Sequence, residues 1–247
     1  MTKNTTHFGF ETIESNKKAA RVRNVFDSVS NKYDLMNDLM SLGLHRLWKH
    51  FTIEHASIIP GDIVLDLAGG TGDLAKDFSR AVGKDGSVIL ADINHAMLKE
   101  GRKRVIDNGV ANNLSIIQLD AEKLPFEENT FNCVSIAFGL RNVTNKMEAL
   151  KSIYKTLRPG GKILILEFSQ PIEAIRSIYD WYSFKILPKI GKYIANDEDS
   201  YQYLAESIRM HPNQEEMIKM LKKAKFTNCR YFNFSGGIVA LHIGYRT

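Results

Sequence analysis

Three short apolar runs in this chain each lead into an aspartate, and that repeat limits the fold more than any other feature. IVLDLAGGTGD carries Asp66, SVILADIN carries Asp92 and LSIIQLDAE carries Asp120. Taken as consecutive parallel strands, the runs bring three carboxylates to one rim of one sheet, at the carboxyl ends of the strands, where open α/β sheets bind ligands. A rim of acids beside a glycine turn suits a ligand rich in hydroxyls and positive charge. It suits a polyphosphate poorly.

The remaining pattern fills in such a sheet. From Lys17 to about Ile59, apolar residues recur at helical spacing (Ala20, Val25, Phe26 and Val29, then Leu44, Leu47, Trp48 and Phe51), and Pro60-Gly61 closes the stretch. Strand-like runs follow at 63–67, 88–91, 114–119, 131–138 and 162–168, separated by amphipathic helical faces. Arg158-Pro159-Gly160-Gly161 is expected to form a turn before the fifth run. An insertion at about 171–212 is rich in aromatic and basic residues, including Tyr179, Trp181, Tyr182, Lys185 and Lys189. A helix at 214–224 precedes two runs, 228–234 and 238–245, joined as a hairpin by Ser235-Gly236-Gly237. The expected architecture is α/β: a Rossmann-like, mostly parallel seven-stranded sheet ending in an antiparallel hairpin, the layout of class I methyltransferases. Residues 1–60 are expected to form an N-terminal helical cap. Residues 61–247 are expected to form the methyltransferase domain with its cap insertion, and the whole to be one folding unit.

At 247 residues and 44% apolar content, the chain has enough material for one large α/β core. The net charge of +5 permits contact with an anionic surface but includes no long basic block, and no nucleic acid is expected as a partner. Two cysteines, Cys133 and Cys229, argue against a disulfide framework and fit a reducing compartment. The first residues contain no apolar signal core, and no run approaches the roughly 18 apolar residues of a spanning helix. The expectation is a cytoplasmic protein whose membrane contact, where it occurs, is peripheral.

Gly70-Thr71-Gly72-Asp73-Leu74-Ala75 satisfies the loose dinucleotide pattern, and Asp92 follows about 20 residues on, so a dehydrogenase has to be weighed. Against it, a pyrophosphate on this turn would face Asp66 and Asp73, a like-charge arrangement costing several kcal/mol at an effective dielectric of ~20. S-adenosylmethionine avoids the penalty, since its ammonium and sulfonium are positive and its one carboxylate can use the N–H groups at the helix start. In this reading Asp92 accepts from the ribose hydroxyls and Asp120 from the adenine amino group, with the Ala121 N–H facing a ring nitrogen. Taken singly, Asp92 or Asp120 also serves as a helix N-cap. Phe138-Gly139-Leu140-Arg141-Asn142 ends the fourth run. Arg141 there either pairs with a carboxylate or faces a substrate that becomes anionic. His45, His50 and His55 lie five apart, about 140° from one to the next on a helix, and no cluster has metal-ligand spacing, so no metal is expected.

The segment KYDLMNDLMS followed by HRLW is too polar-dense for a plain core helix. Together with HFGFETI, LDLAGGTGD, ADIN, AEKLPF, FGLRNV, LRPGGKILILEFS and YLAESIRMHP, it makes the chain closely resemble the UbiE family of ubiquinone/menaquinone biosynthesis C-methyltransferases, from about His7 to Tyr245. The glycine turn and PGG are common to many methyltransferases, whereas the first segment, FGLRN and ESIRMHP are far more specific. By this resemblance Thr71, Asp92, Asp120 and Ala121 fall on family positions for S-adenosylmethionine, and Asp66 and Gly70 complete the candidate cofactor set. Ala137 stands where the family often has a serine. The implied reaction is methylation of a ring carbon of a polyprenyl quinol. Arg141 would pair with the developing phenolate, and Asn142 and Tyr33 would hydrogen-bond beside it. Tyr33, a rim aspartate and water all stay open as the base. A membrane surface, other quinone-biosynthesis proteins and a second copy of the chain are the implied partners. The competing functions are an O- or N-methyltransferase for a soluble metabolite, a dehydrogenase and a non-catalytic scaffold.

Overall fold

The structure, a computed structural model, describes residues 5–29, 33–109, 112–195 and 197–247. The chain enters through an antiparallel hairpin, β1 (Thr5–Phe8) and β2 (Glu11–Glu14), then three helices, α1 (Ser15–Val29), α2 (Tyr33–Ser41) and α3 (His45–Ala56). The helices match the periodicity of the sequence. The hairpin was not expected, because four-residue strands are too short to show a period of two.

Next come β3 (Ile63–Leu67), α4 (Asp73–Val82), β4 (Ser87–Asp92), α5 (His95–Asp107), β5 (Leu114–Gln118), β6 (Phe131–Ala137), α6 (Lys146–Thr156) and β7 (Leu157–Phe168). The insertion continues from α7 (Glu173–Trp181) through a π-helical turn (Tyr182–Ile186), α8 (Leu187–Ile190) and a second such turn (Gly191–Ala195) into α9 (Glu198–Arg209). Helix α10 (Gln214–Lys223) and the hairpin β8 (Thr227–Phe234) and β9 (Val239–Tyr245) end the fold. The seven-stranded sheet has the order β5-β4-β3-β6-β7-β9-β8. β3 to β7 are parallel, and β9 runs antiparallel to both β7 and β8.

The order reverses between β3 and β6, and this switch point opens a crevice at the strand tips. The strands beside it are buried on both faces, which explains their unbroken apolar runs: Val64 and Leu65 in β3 and Ile163 to Leu166 in β7 are fully enclosed. Helix α4 packs Leu74, Ala75, Phe78 and Val82 into the core. Helix α5 starts at Asn94, whose Oδ1 accepts from Met97 N at 2.9 Å.

One local expectation is corrected. Arg158-Pro159-Gly160-Gly161 is not a turn ahead of the strand but part of β7, which begins at Leu157 opposite Phe131 and shifts register before Cys133. Pro159 has no N–H for the ladder and Gly160 takes φ +79°, so the segment bulges without leaving the sheet.

The insertion is fastened to the N-terminal elements. The Tyr182 hydroxyl donates to Leu39 O at 2.6 Å, and Phe8 stacks on Tyr203 with centroids 4.1 Å apart. Among the described residues no helix is long and apolar enough to cross a membrane.

Candidate active site

The glycine turn lies at the tip of β3. Gly70 has φ +55°, a conformation that side chains with a Cβ adopt at a cost, and its N–H donates to Asp92 Oδ2 at 3.0 Å. Helix α5 presses against the turn through Gly101, where an added Cβ would lie 2.9 Å from Gly70 O. The turn is therefore held from one side by the Asp92 carboxylate and from another by helix packing.

Asp92, the last residue of β4, accepts from Gly70 N and, through Oδ1, from Asn94 N at 2.8 Å. Each oxygen keeps a second lone pair. Desolvation, opposed by these backbone bonds, raises the carboxyl to about 6. Asp120 lies two residues beyond β5 and is exposed; its Oδ1 accepts from Glu122 N at 2.9 Å. Asp92, Asp120, Ala121 and Gly70 line one cleft of ≈ 850 Å³, its open mouth included. Phe138, Gly139 and Asn142 line the same cleft from the tip of β6. Its outer wall is Ala19, Val22, Arg23 and Phe26 of α1, which sequence reasoning assigned to a helix without a role at the site. That wall is fixed at both ends, since Lys18 Nζ donates to Val143 O at 3.3 Å and Asn94 Nδ2 to Asp27 Oδ1 at 2.8 Å.

Asp66 does not join Asp92 and Asp120 on the rim. Its register partner is Leu90, two residues short of Asp92, which places it about 6.6 Å deeper along the strands. It is almost fully buried, with Oδ1 accepting from Ser135 Oγ at 2.6 Å and Oδ2 without a hydrogen-bond partner among the described residues. Burial raises its carboxyl to about 7. Asp66 and Thr71 line a smaller recess with Lys49 and Asp73, separated from the main cleft by Ala68 and Phe138, which line both. Arg104 Nη1 donates to Thr71 Oγ1 at 3.4 Å.

Lys49, reaching in from α3, donates to Asp73 Oδ2 at 2.6 Å. Burial works against ionisation of Asp73, and Lys49 outweighs it, holding the carboxyl below its ordinary value. The repulsion expected between a pyrophosphate and the Asp66–Asp73 pair is therefore weaker than the sequence implies. One acid is neutralised by a lysine and the other is half protonated near neutral pH.

Arg141 resolves in favour of its carboxylate partner. Its Nη1 lies 2.7 Å from Glu167 Oε1, and the two side chains are only 3% and 1% exposed. The same Nη1 also donates to Phe138 O, and Arg141 N donates to Glu167 Oε2 at 3.2 Å. Arg141 does not line the cleft, and its charge is balanced by Glu167. What the pair does is pin the 138–142 loop, of which Asn142 reaches the cleft. Asn142 Oδ1 accepts from the Tyr203 hydroxyl at 2.9 Å, which turns its amide group into a donor for a bound molecule. Tyr33 begins α2, and its side chain lies outside the described residues.

The comparisons with known proteins decide between the readings this geometry leaves. A model of the ubiE/COQ5 methyltransferase family matches residues 14–246. The chain belongs to that family. The ubiquinone/menaquinone biosynthesis C-methyltransferase UbiE of Legionella pneumophila (strain Corby) is 57% identical over 99% of this chain and 98% of its own length. That of Psychromonas ingrahamii is 58% identical, covering 98% and 97%, and that of Methylococcus capsulatus is 57% identical over the whole of both chains. Among solved structures, an S-adenosylmethionine-dependent methyltransferase from Aquifex aeolicus superposes with a TM-score of 0.58 at 16% identity, covering 81% of this chain and 89% of that one. One from Thermotoga maritima reaches 0.64 at 15%, covering 91% and 99%. At such identities the structures speak for the class I fold alone, which they share with this family member.

S-adenosylmethionine is the methyl donor of this family fold, and the residues present fit it. The largely apolar walls of the cleft suit a nucleoside. Asp92 offers its free lone pairs to vicinal hydroxyls, and the partnerless Asp66 Oδ2 in the adjoining recess fits an ammonium group.

Proposed function

We propose that the chain transfers a methyl group from S-adenosylmethionine to a ring carbon of a polyprenyl quinol, the naphthoquinol precursor of menaquinone, the benzoquinol precursor of ubiquinone, or both. The single observation that carries this reading is the full-length likeness, 57% identity over both whole chains, to a ubiquinone/menaquinone biosynthesis C-methyltransferase. Product analysis tests it: incubation with S-adenosylmethionine and each demethylated quinol gives a ring-methylated product by mass spectrometry. Methylation at oxygen, or no product from either quinol, refutes it.

The bound donor supplies an electrophilic methyl group on its sulfonium. The chain's own task is to make a ring carbon nucleophilic and to hold it in line. Ionising a phenol of pKa near 10 at pH 7 costs about 4 kcal/mol. The Arg141 guanidinium, cancelled by Glu167, cannot supply that as a free charge. Its part is indirect: it holds the 138–142 loop so that the Asn142 amide donates to the developing phenolate. Orientation against the α1 wall supplies up to ~7 to 11 kcal/mol more. The elements before Pro60 and the 171–212 insertion act as the cap that keeps water from the reacting carbon.

A prenylated substrate resides in lipid, and the cap carries a surface that suits one. Leu42, Ile178 and Trp181 are 79%, 70% and 59% exposed, with Lys185 and Lys189 exposed further along the same helical segment. Apolar side chains entering the interface beside lysines facing phosphates give peripheral binding at the inner face of the membrane. Co-sedimentation with anionic vesicles at moderate salt checks this, and protein left wholly in the supernatant contradicts it.

A further inference from the structure

Glu167 cancels the Arg141 guanidinium, so the charge that favours a phenolate beside Asn142 has to come from elsewhere. Two lysines not used by the chemistry above lie directly behind that residue. Lys146, the first residue of α6, donates from Nζ to Arg141 O at 3.3 Å and to Val143 O at 3.4 Å, the carbonyls on either side of Asn142. Lys18 of α1, only 4% exposed, donates to the same Val143 O at 3.3 Å. Two ammonium groups thus converge on one carbonyl, and neither has a carboxylate within 4 Å among the described residues. A neutral donor would satisfy those carbonyls at a smaller desolvation cost, so the positive charge itself calls for a reason.

The charges around the pair do not close to neutrality. Glu167 of β7 faces Lys146 but is bound to Arg141, 2.7 Å away. Glu122, past the end of β5, faces both lysines, is half-buried, and accepts from Asn145 N at 2.8 Å. His211, between α9 and α10, adds no charge, because burial and the nearby Lys146, Arg141 and Lys18 push its imidazole well below its ordinary value. Burial likewise keeps the Tyr203 phenol, the donor to Asn142 Oδ1, protonated. Burial lowers the Lys18 ammonium to about 8, which leaves it mostly charged at pH 7, and it lowers Lys146 against the pull of Glu167 and Glu122. Lys18, Lys146 and Arg141 therefore face Glu167 and Glu122 with one positive charge in excess. On the open side of the cleft Arg23 is solvated, and Asp92 and Asp120 border the part assigned above to the nucleoside.

We propose that Lys146, backed by Lys18, is a positioning residue of the methyl transfer: it clamps the backbone of Asn142 through the two flanking carbonyls and gives the loop the excess positive charge that draws the substrate hydroxyl toward its phenolate. The assignment rests on the C-methyltransferase reading above, and the ligand class is a phenol that ionises before its ring carbon attacks. The O–H proton passes to a base or water, and the ring carbon forms its bond to the methyl group as the carbon–sulfur bond breaks. The ring C–H proton then leaves and the oxygen is reprotonated. One unit charge about 10 Å away shifts such an ionisation by roughly one pH unit at an effective dielectric of ~20.

The acidic limb of kcat against pH is the test, because it reports ionisation within the enzyme–substrate complex. The probe is a demethylnaphthoquinol bearing two isoprene units, assayed without oxygen at saturating S-adenosylmethionine. In Lys146→Met the limb should move up by about one unit, so that turnover falls about ten-fold below the limb and returns to within about two-fold of wild type on the plateau above it. Lys146→Arg keeps the charge and should leave the limb within about 0.3 unit of wild type. S-adenosylhomocysteine affinity should stay within about two-fold in both. A lysine that only braces the loop would instead lower turnover by one factor at every pH and leave the limb unmoved. That result overturns the proposal, as does a limb that moves as far in Lys146→Arg as in Lys146→Met, or a wild type with no acidic limb. Should Lys146→Met fail to fold, Lys18→Met decides in its place: its limb should move in the same direction, and an unmoved limb overturns the proposal. Absence of any methylated quinol with wild-type protein overturns the functional reading itself, a result separate from every outcome in which wild type is active.

Discussion

Replacing Glu167 with Ala strips Arg141 of its only carboxylate within 4 Å among the described residues, in a place where neither side chain reaches water. Leaving a buried charge uncompensated costs about 3 to 5 kcal/mol. An unfolding entropy of ~2.1 cal/mol/K per residue amounts to roughly 0.5 kcal/mol/K for a chain of this length, so Tm falls by about 6 to 10 °C. Urea titration is the assay of choice, because an unchanged m-value with a lowered midpoint isolates stability from any change in the unfolded ensemble. The exposed Lys151–Glu148 pair, 2.9 Å apart with both side chains about half exposed, provides the contrast: Glu148→Ala should cost no more than ~0.5 kcal/mol. Turnover should fall along with stability in Glu167→Ala, since Phe138 and Asn142 lose the anchor of their loop. A destabilisation below about 1 kcal/mol would refute the reasoning, because it would mean that Arg141 finds water or another anion and is not held as described.

Asp66 contributes a pH dependence of definite sign. Its carboxyl rises from the ordinary 3.8 to about 7 on folding, so the native state binds the proton more tightly, and stability is lost as pH rises between about 4 and 7. The loss is on the order of 4 kcal/mol at most. Asp66→Asn should therefore be more heat-stable than wild type at pH 8 and flatten the Tm–pH curve, and a variant less stable at pH 8 would count against it. Asp92, raised to about 6, has to be ionised to accept two hydroxyls, so S-adenosylhomocysteine affinity should weaken as pH drops below that value; an affinity flat from pH 5 to 8 would speak against the assigned contact. Gly101→Ala places a methyl 2.9 Å from Gly70 O, and the backbone of the turn has to give. The expected cost is about 1 to 3 kcal/mol of stability and several-fold weaker cofactor binding, read by thermal shift and calorimetry.

The sheet and the crevice at its strand tips were legible in the sequence because both depend on local pattern. Apolar runs ending in Asp92 and near Asp120, a glycine turn and a terminal hairpin all leave contiguous signatures. What escaped was set by register or by distance along the chain. Asp66 reads like the other two acids, yet pairing with Leu90 sinks it below the turn, and pleat level is a property of two strands together. Arg141 finds Glu167 26 residues away, inside a run that reads as plain strand. Lys49 and the Val22–Phe26 face of α1 come from the N-terminal helices, whose periodicity announces a buried face without saying that part of it borders the cleft. The Arg158–Gly161 segment has turn chemistry and was expected to be a turn, but flanking strand pairing carried it on as a bulge.

Calorimetric titration of wild type and Asp92→Ala with S-adenosylhomocysteine, and of wild type with NAD, bears most directly on the claim that the strand tips form a sulfonium-nucleoside site. Wild type should bind S-adenosylhomocysteine and leave NAD unbound. Removing a carboxylate that accepts from the ribose should weaken binding about 10- to 100-fold, as expected for hydrogen bonds to a charged group. Equal affinity in the two proteins, or tight binding of NAD to wild type, would contradict it.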